Sequence, residues 1–103
     1  MNMDKLMKQA QKMQAQMARV QDELASAVVE GAAGGGMVKA TVNGHGEVLS
    51  ISISPEVVDK DDVEMLEDLI LSAIKEAAKR SKEMAESKMN AVTGGMGGIP
   101  GLM

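Results

Sequence analysis

Apolar side chains at Met3, Leu6, Ala10, Met13, Met17, Val20 and Leu24 recur in alternating steps of three and four. That is an unbroken a/d seam, which a chain satisfies by forming one long helix with a narrow apolar stripe laid against another helix. No Gly or Pro interrupts the pattern before Gly31, and Gln, Lys, Met and Ala between the seam positions are good helix formers. The helix is expected from Met3 to about Ser26. Lys5, Lys8, Lys12 and Arg19 share another face of it. At ~100° per residue they lie within ~60° of one another and roughly 130° from the seam. From Met3 to Leu24 at ~1.5 Å per residue the helix spans about 33 Å, more than a small domain needs to cover its own core. Part of it should therefore project, and the seam is expected to act as a dimer interface or core seam.

The rest of the chain limits how that helix is stabilised. With 103 residues there is one domain, and with no Cys there are neither disulfides nor thiolate metal sites to reinforce it. Phe, Trp and Tyr are also absent, which excludes any function that needs a Trp, Tyr or Phe stacking platform. Eleven Met residues stand in as deformable core filler. Oligomerisation remains as the means of stabilisation. No apolar run approaches the ~20 residues that span a bilayer, and the N-terminus lacks signal-peptide order, so a cytoplasmic protein with no membrane partner is expected.

The net charge of −4 conceals a segregation. Bases dominate the first twenty residues. Acids dominate the next charged stretch, through Glu56, Asp59, Asp61, Asp62, Glu64, Glu67 and Asp68. Bases return at Lys75, Lys79, Arg80, Lys82 and Lys88. Both helical regions thus offer basic surface although the chain is acidic overall.

After Ser26 the hydrophobic period changes from helical to alternating. Residues 27–30 form a short β-branched strand, and 31–36 read as a glycine-rich turn or loop. Val38, Ala40 and Val42 alternate with Lys39, Thr41 and Asn43. The run Asn43-Gly44-His45-Gly46 is a hairpin signal, and Leu49, Ile51 and Ile53 then alternate with Ser50, Ser52 and Ser54 up to Pro55. This predicts a three-stranded antiparallel meander with one apolar face that needs a helix over it. Asp61-Asp62-Val63-Glu64 suggests a capping box with Asp61 as N-cap. A second helix follows to about Val92, with a seam of Leu66, Ile70, Ala73, Ala77, Ser81 and Met84 widened by Leu69, Ile74 and Ala78. Lys75, Lys79 and Lys82 lie on its opposite face with Arg80 at the flank. The fold class is α+β in the order α-β-β-β-α, with a single domain over 1–93 and a mobile Gly/Met/Pro tail over 94–103.

Catalytic chemistry lacks its materials. His45 is the single histidine and sits between two glycines in a turn, so a metal site or a nucleophile–base pair cannot be assembled around it. The acids around Asp59 lack the spacing of a calcium loop. Neither glycine-rich stretch has the Lys-Ser or helix-opening context of a phosphate loop. No enzyme, cofactor, metal or small-molecule substrate is expected.

The order of these pieces is itself informative. A Gln/Met-rich helix precedes Gly36-Met37-Val38-Lys39-Ala40-Thr41-Val42-Asn43-Gly44-His45-Gly46. A strand ending Ile53-Ser54-Pro55 leads to Leu66-Glu67-Asp68-Leu69-Ile70, and the chain closes with Gly97-Gly98-Ile99-Pro100-Gly101. Over essentially its whole length the chain resembles the YbaB/EbfC family of bacterial nucleoid-associated proteins. The resemblance implies a homodimer with tweezer-like projecting helices that binds double-stranded DNA and helps organise the nucleoid, with gene regulation as a further role. It implies DNA contacts from Lys5, Lys8, Lys12 and Arg19 on the first helix and Lys75, Lys79, Arg80 and Lys82 on the last. Where many members carry Asn after Ala73-Ile74, this chain has Lys75, which adds a charge. The residues alone also allow a protein-binding adaptor or chaperone-like dimer built on the Met-rich seam, because flexible thioethers repack around varied partners.

Overall fold

The computed structural model describes residues 2–95. Helix α1 (Met3–Ser26) is followed by strands β1 (Val29–Ala33), β2 (Val38–Val42) and β3 (Val48–Ile53), a short 3-10 turn at Pro55–Val57, and helix α2 (Val63–Gly95). The strands form an antiparallel meander in the order β1-β2-β3, and the α+β arrangement read from the sequence is the one observed.

Helix α1 has its expected bounds. Asn2 caps it, its side-chain Oδ1 accepting from the Lys5 N–H at 3.2 Å. At the start of α2 the cap is Asp62 rather than Asp61: its Oδ1 accepts from the Met65 N–H at 3.2 Å. The Asp61 N–H is engaged by Asp59 instead (2.9 Å), which turns the chain one residue later than the capping-box pattern suggests. Helix α2 also runs past Val92, to Gly95. Residues 96–103, most of the expected tail, lie outside the described residues.

The core sits between α2 and the first two strands. Val38, Ala40 and Val42 of β2 are buried against Ala73 and Ala77 of α2, with Leu66, Leu69, Ile70 and Ile74 packed around them. The α2 seam expected from spacing is thus the one used. Strand β1 corrects the expected loop at 31–36: Gly31, Ala32 and Ala33 pair with Ala40, Lys39 and Val38. The turn is confined to residues 34–37, with Gly34, Gly35 and Gly36 all at positive φ. Gly31 extends the strand because α2 lies almost directly on it. A Cβ there would stand 2.3 Å from the Ala77 nitrogen and 2.4 Å from the Ala73 carbonyl oxygen.

Helix α2 covers β1 and β2 but not β3. The register shift beside Thr41 and Val42 sets Val48, not the expected Leu49, opposite Val42. Ile51 and Ile53 pair with Ala40 and Val38 as the alternation predicts, so they point to the helix side of the sheet. Both nevertheless remain exposed, as do Val48 and Leu49 beside an irregularity in the β2–β3 register. The apolar face predicted for this sheet is real, but one chain covers only part of it.

Beyond the sheet, the later turns of α2 run alongside the end of α1. Val20, Leu24 and Val92 are buried there, with Met17, Met84, Ala85 and Met89 packed against them. Lys88 Nζ pairs with Glu23 Oε2 at 3.0 Å across the two helices. The molecule is 72 × 26 × 16 Å, and its radius of gyration of 19.8 Å far exceeds the about 13 Å of a compact chain this size. Projection of α1 accounts for this shape. Its first third, from Met3 to Ala10, is exposed throughout.

Candidate nucleic-acid interface

The seam of α1 divides into two functions. Val20 and Leu24 are core residues within one chain and Met13 and Met17 are half-buried, whereas Met3, Leu6 and Ala10 are open to solvent. The helix is therefore anchored at its C-terminal end and free at its N-terminal end.

One anchor is a backbone contact at the β2–β3 hairpin. The Gly44 N–H donates to the Leu24 carbonyl oxygen at 2.7 Å, and a Cβ on Gly44 would stand 2.6 Å from that same oxygen. The neighbouring Asn43 is 5% exposed. Its Oδ1 accepts from the His45 and Glu47 N–H groups (2.9 and 3.0 Å), and its Nδ2 donates to Glu47 Oε1 at 2.7 Å. Its carbonyl oxygen accepts from the Ser81 hydroxyl at 2.8 Å. One hairpin thus joins α1, the sheet and α2. Sequence reading took Asn43 only as a turn former and Ser81 only as a seam position. A hydroxyl in an otherwise apolar seam was the available sign that a buried polar partner had to be met.

All eight basic residues expected to contact DNA are exposed, but they differ in freedom. Arg80 is held: Nη2 pairs with Glu76 at 2.9 Å, and Nη1 donates to the Glu30 carbonyl oxygen at 3.2 Å, tying α2 to β1. Arg19 faces Glu23 at 3.8 Å. Among the described residues, Lys5, Lys8, Lys12, Lys75, Lys79 and Lys82 have no acidic group within ion-pair distance. Lys82 lines a shallow pocket of about 380 Å³ with Gly44, His45, Gly46, Ala78, Ser81 and Ala85.

The three lysines on α1 are the clearest stripe, because Asp4 lies to the side and no acid intervenes up to Arg19. On α2 the stripe is shorter, since Glu86 follows Lys82 one turn later on the same face. The overall negative charge does not cancel these surfaces. Asp68, the last of the acidic cluster, is about 10 Å along the helix axis from Lys75 and about 21 Å from Lys82, or about one and about two and a half Debye lengths at physiological salt. The acidic cluster is therefore separated from Lys82 along α2, although Glu76, Glu83 and Glu86 are interspersed with the bases of that helix.

Among the described residues no group of three or more His, Cys, Asp or Glu is placed to hold a metal ion, and no helix is long and apolar enough to cross a membrane. His45, expected in a hairpin turn, is exposed there.

Similar proteins agree with this architecture. The chain is 56% identical over 99 residues to a nucleoid-associated protein of Chloroflexus aurantiacus, covering 96% of this chain and 99% of that one. It is 54% identical over 101 residues to a nucleoid-associated protein of Acetivibrio thermocellus, covering 98% and 89%. The fold matches the crystal structure of an uncharacterized protein of Helicobacter pylori with a TM-score of 0.72 at 22% identity, over 94% of this chain and 99% of that one. A family model matches residues 1–96. With a family model matched over nearly the whole chain and relatives above 50% identity, the chain belongs to the YbaB/EbfC DNA-binding family.

Proposed function

We infer that this protein is a nucleoid-associated, non-enzymatic DNA-binding protein that grips double-stranded DNA as a homodimer in the cytoplasm, with little sequence preference. The observation that carries the reading is the row Lys5, Lys8 and Lys12 on the free half of α1, exposed and without acidic partners. Lysines in such a row neutralise phosphates and release counterions, a source of affinity that does not depend on base sequence. Lys75, Lys79 and Lys82 extend the charge onto α2. Arg19 and Arg80 contribute less, because each is engaged by a glutamate. The lack of Phe, Trp and Tyr removes the usual aromatic stacking platform as a further source of affinity.

The test is binding to a labelled random-sequence duplex at several salt concentrations. Log affinity should fall linearly with log salt, at about 0.9 per phosphate neutralised. Flat salt dependence, or no binding at low salt, would remove this reading in favour of the protein adaptor.

The dimer is assigned to the helix side of β3. Val48, Ile51 and Ile53 are exposed there by 51%, 38% and 36%, and Leu71 of α2 by 51%. An apolar strip left by incomplete helix cover is closed most simply by the same strip of a second copy, and β3 is also an edge strand of the sheet. Ile51→Glu with Ile53→Glu should convert the dimer to monomer in sedimentation, and should also halve the salt slope. An unchanged dimer would return the interface to the exposed part of the α1 seam.

A further inference from the structure

The chain contains no Cys, Trp or Tyr, so its readily oxidised side chains are thioethers. The methionines differ sharply in what oxidation would do. Met3, Met7 and Met65 are exposed (64%, 58% and 38%), and a polar oxygen on their sulfur would simply be hydrated. Met17, Met84 and Met89 instead pack into the small cluster that holds α1 against α2. Met84 also packs against the sheet core, so it links the two apolar clusters of the molecule. N-terminal to Val20, Met17 is the α1 side chain that enters this cluster. The remaining ties, Gly44 to Leu24 and Lys88 to Glu23, engage only the last turn of α1.

We propose that Met17, Met84 and Met89 are modification sites through which peroxide undocks α1. Each thioether sulfur takes one oxygen atom from hydrogen peroxide, losing two electrons to form a sulfoxide while the peroxide is reduced to water. The sulfoxide oxygen needs a donor. Its neighbours Val20, Leu24, Ala85 and Val92 have no side-chain donor, so the joint must admit water or open. Being half-buried, the three sulfurs are reached when the joint breathes, and the opening is retained once the oxygen is in place. A partnerless sulfoxide shifts docking of α1 by roughly 10- to 100-fold. Because Lys5, Lys8 and Lys12 ride on α1, their fixed position relative to the rest of the molecule is lost with it; this last consequence alone rests on the DNA-binding reading.

The test treats the full-length protein with dilute hydrogen peroxide, maps sulfoxides by peptide mass spectrometry and follows amide hydrogen exchange. Oxidation at the three joint positions should accelerate exchange across residues 10–20 while β2 stays protected. DNA affinity should drop by about tenfold. Methionine sulfoxide reductases should restore both. Met17→Leu with Met84→Leu and Met89→Leu conserves volume and should resist both effects although Met3 and Met7 still oxidise. If the joint methionines stay reduced, or the leucine variant loses α1 protection equally, the proposal fails. Reductase rescue of the unmutated protein decides the matter even should that variant fold poorly. Loss of α1 protection without any DNA binding before or after treatment would sink the DNA reading and leave the joint standing.

Discussion

Gly31→Ala should unfold this protein or come close to it. The added methyl would meet the Ala77 nitrogen at 2.3 Å and the Ala73 carbonyl oxygen at 2.4 Å, and both atoms belong to helix backbone that cannot rotate aside. Relief requires α2 to lift off the sheet at the point where Ala40, Ala73 and Ala77 are all completely buried. We expect a loss of about 3 kcal/mol or more, the upper range for overpacking a core, read as a lower urea midpoint. Gly46→Ala supplies the control. Gly46 has a φ of 82° and no atom within 4 Å of its missing Cβ, so the change should cost only the about 1 kcal/mol of a left-handed backbone. Equal losses at the two sites would show that α2 gives way to the added methyl at little cost, and that closeness of the helix does not require glycine at 31.

Removal of Lys5, Lys8 and Lys12 together should produce the largest change in DNA affinity. If both α1 helices of a dimer engage the duplex, six phosphate contacts disappear. The salt slope should then fall by about 5 units, with affinity near 0.1 M salt lower by ~1,000-fold or more. The Ala variant should fold normally, since all three side chains are exposed and alanine favours helix. Arg80→Ala is the informative comparison. Its guanidinium is held by Glu76 and the Glu30 carbonyl, so its loss should loosen the α2–β1 contact while changing the slope little. An unaltered slope in the triple-lysine variant would show that α1 does not touch DNA.

Much of this architecture is legible in the sequence. The α1 seam set the bounds of that helix, and alternation around Asn43-Gly44 set the meander, because these patterns reflect local periods of the backbone. The α2 seam likewise named the residues that lie on the sheet. Errors came where a residue's conformation is decided by something distant in sequence. Gly31 was read as a loop residue because glycine usually marks one, yet it is a strand residue selected by a helix more than forty positions away. The choice of Asp62 over Asp61 as cap turned on the preceding Asp59 turn, a competition among adjacent carboxylates that pattern alone does not resolve.

For the candidate interface the balance is similar. Charge spacing placed the basic residues on helix faces, and all eight are exposed. Spacing could not distinguish Lys8 from Arg80, because an ion pair with Glu76 is local but the carbonyl of Glu30 is brought there only by packing of α2 on β1. The sequence by itself determined the elements, their amphipathic faces and the segregation of charge, since each follows from residue order within a few turns. Tertiary structure alone decided that α2 covers two strands and leaves the third open, and that α1 is anchored at one end and free at the other. Those outcomes depend on how closely backbones can approach, at Gly31 and at Gly44, and closeness is a property of pairs of elements rather than of either sequence alone.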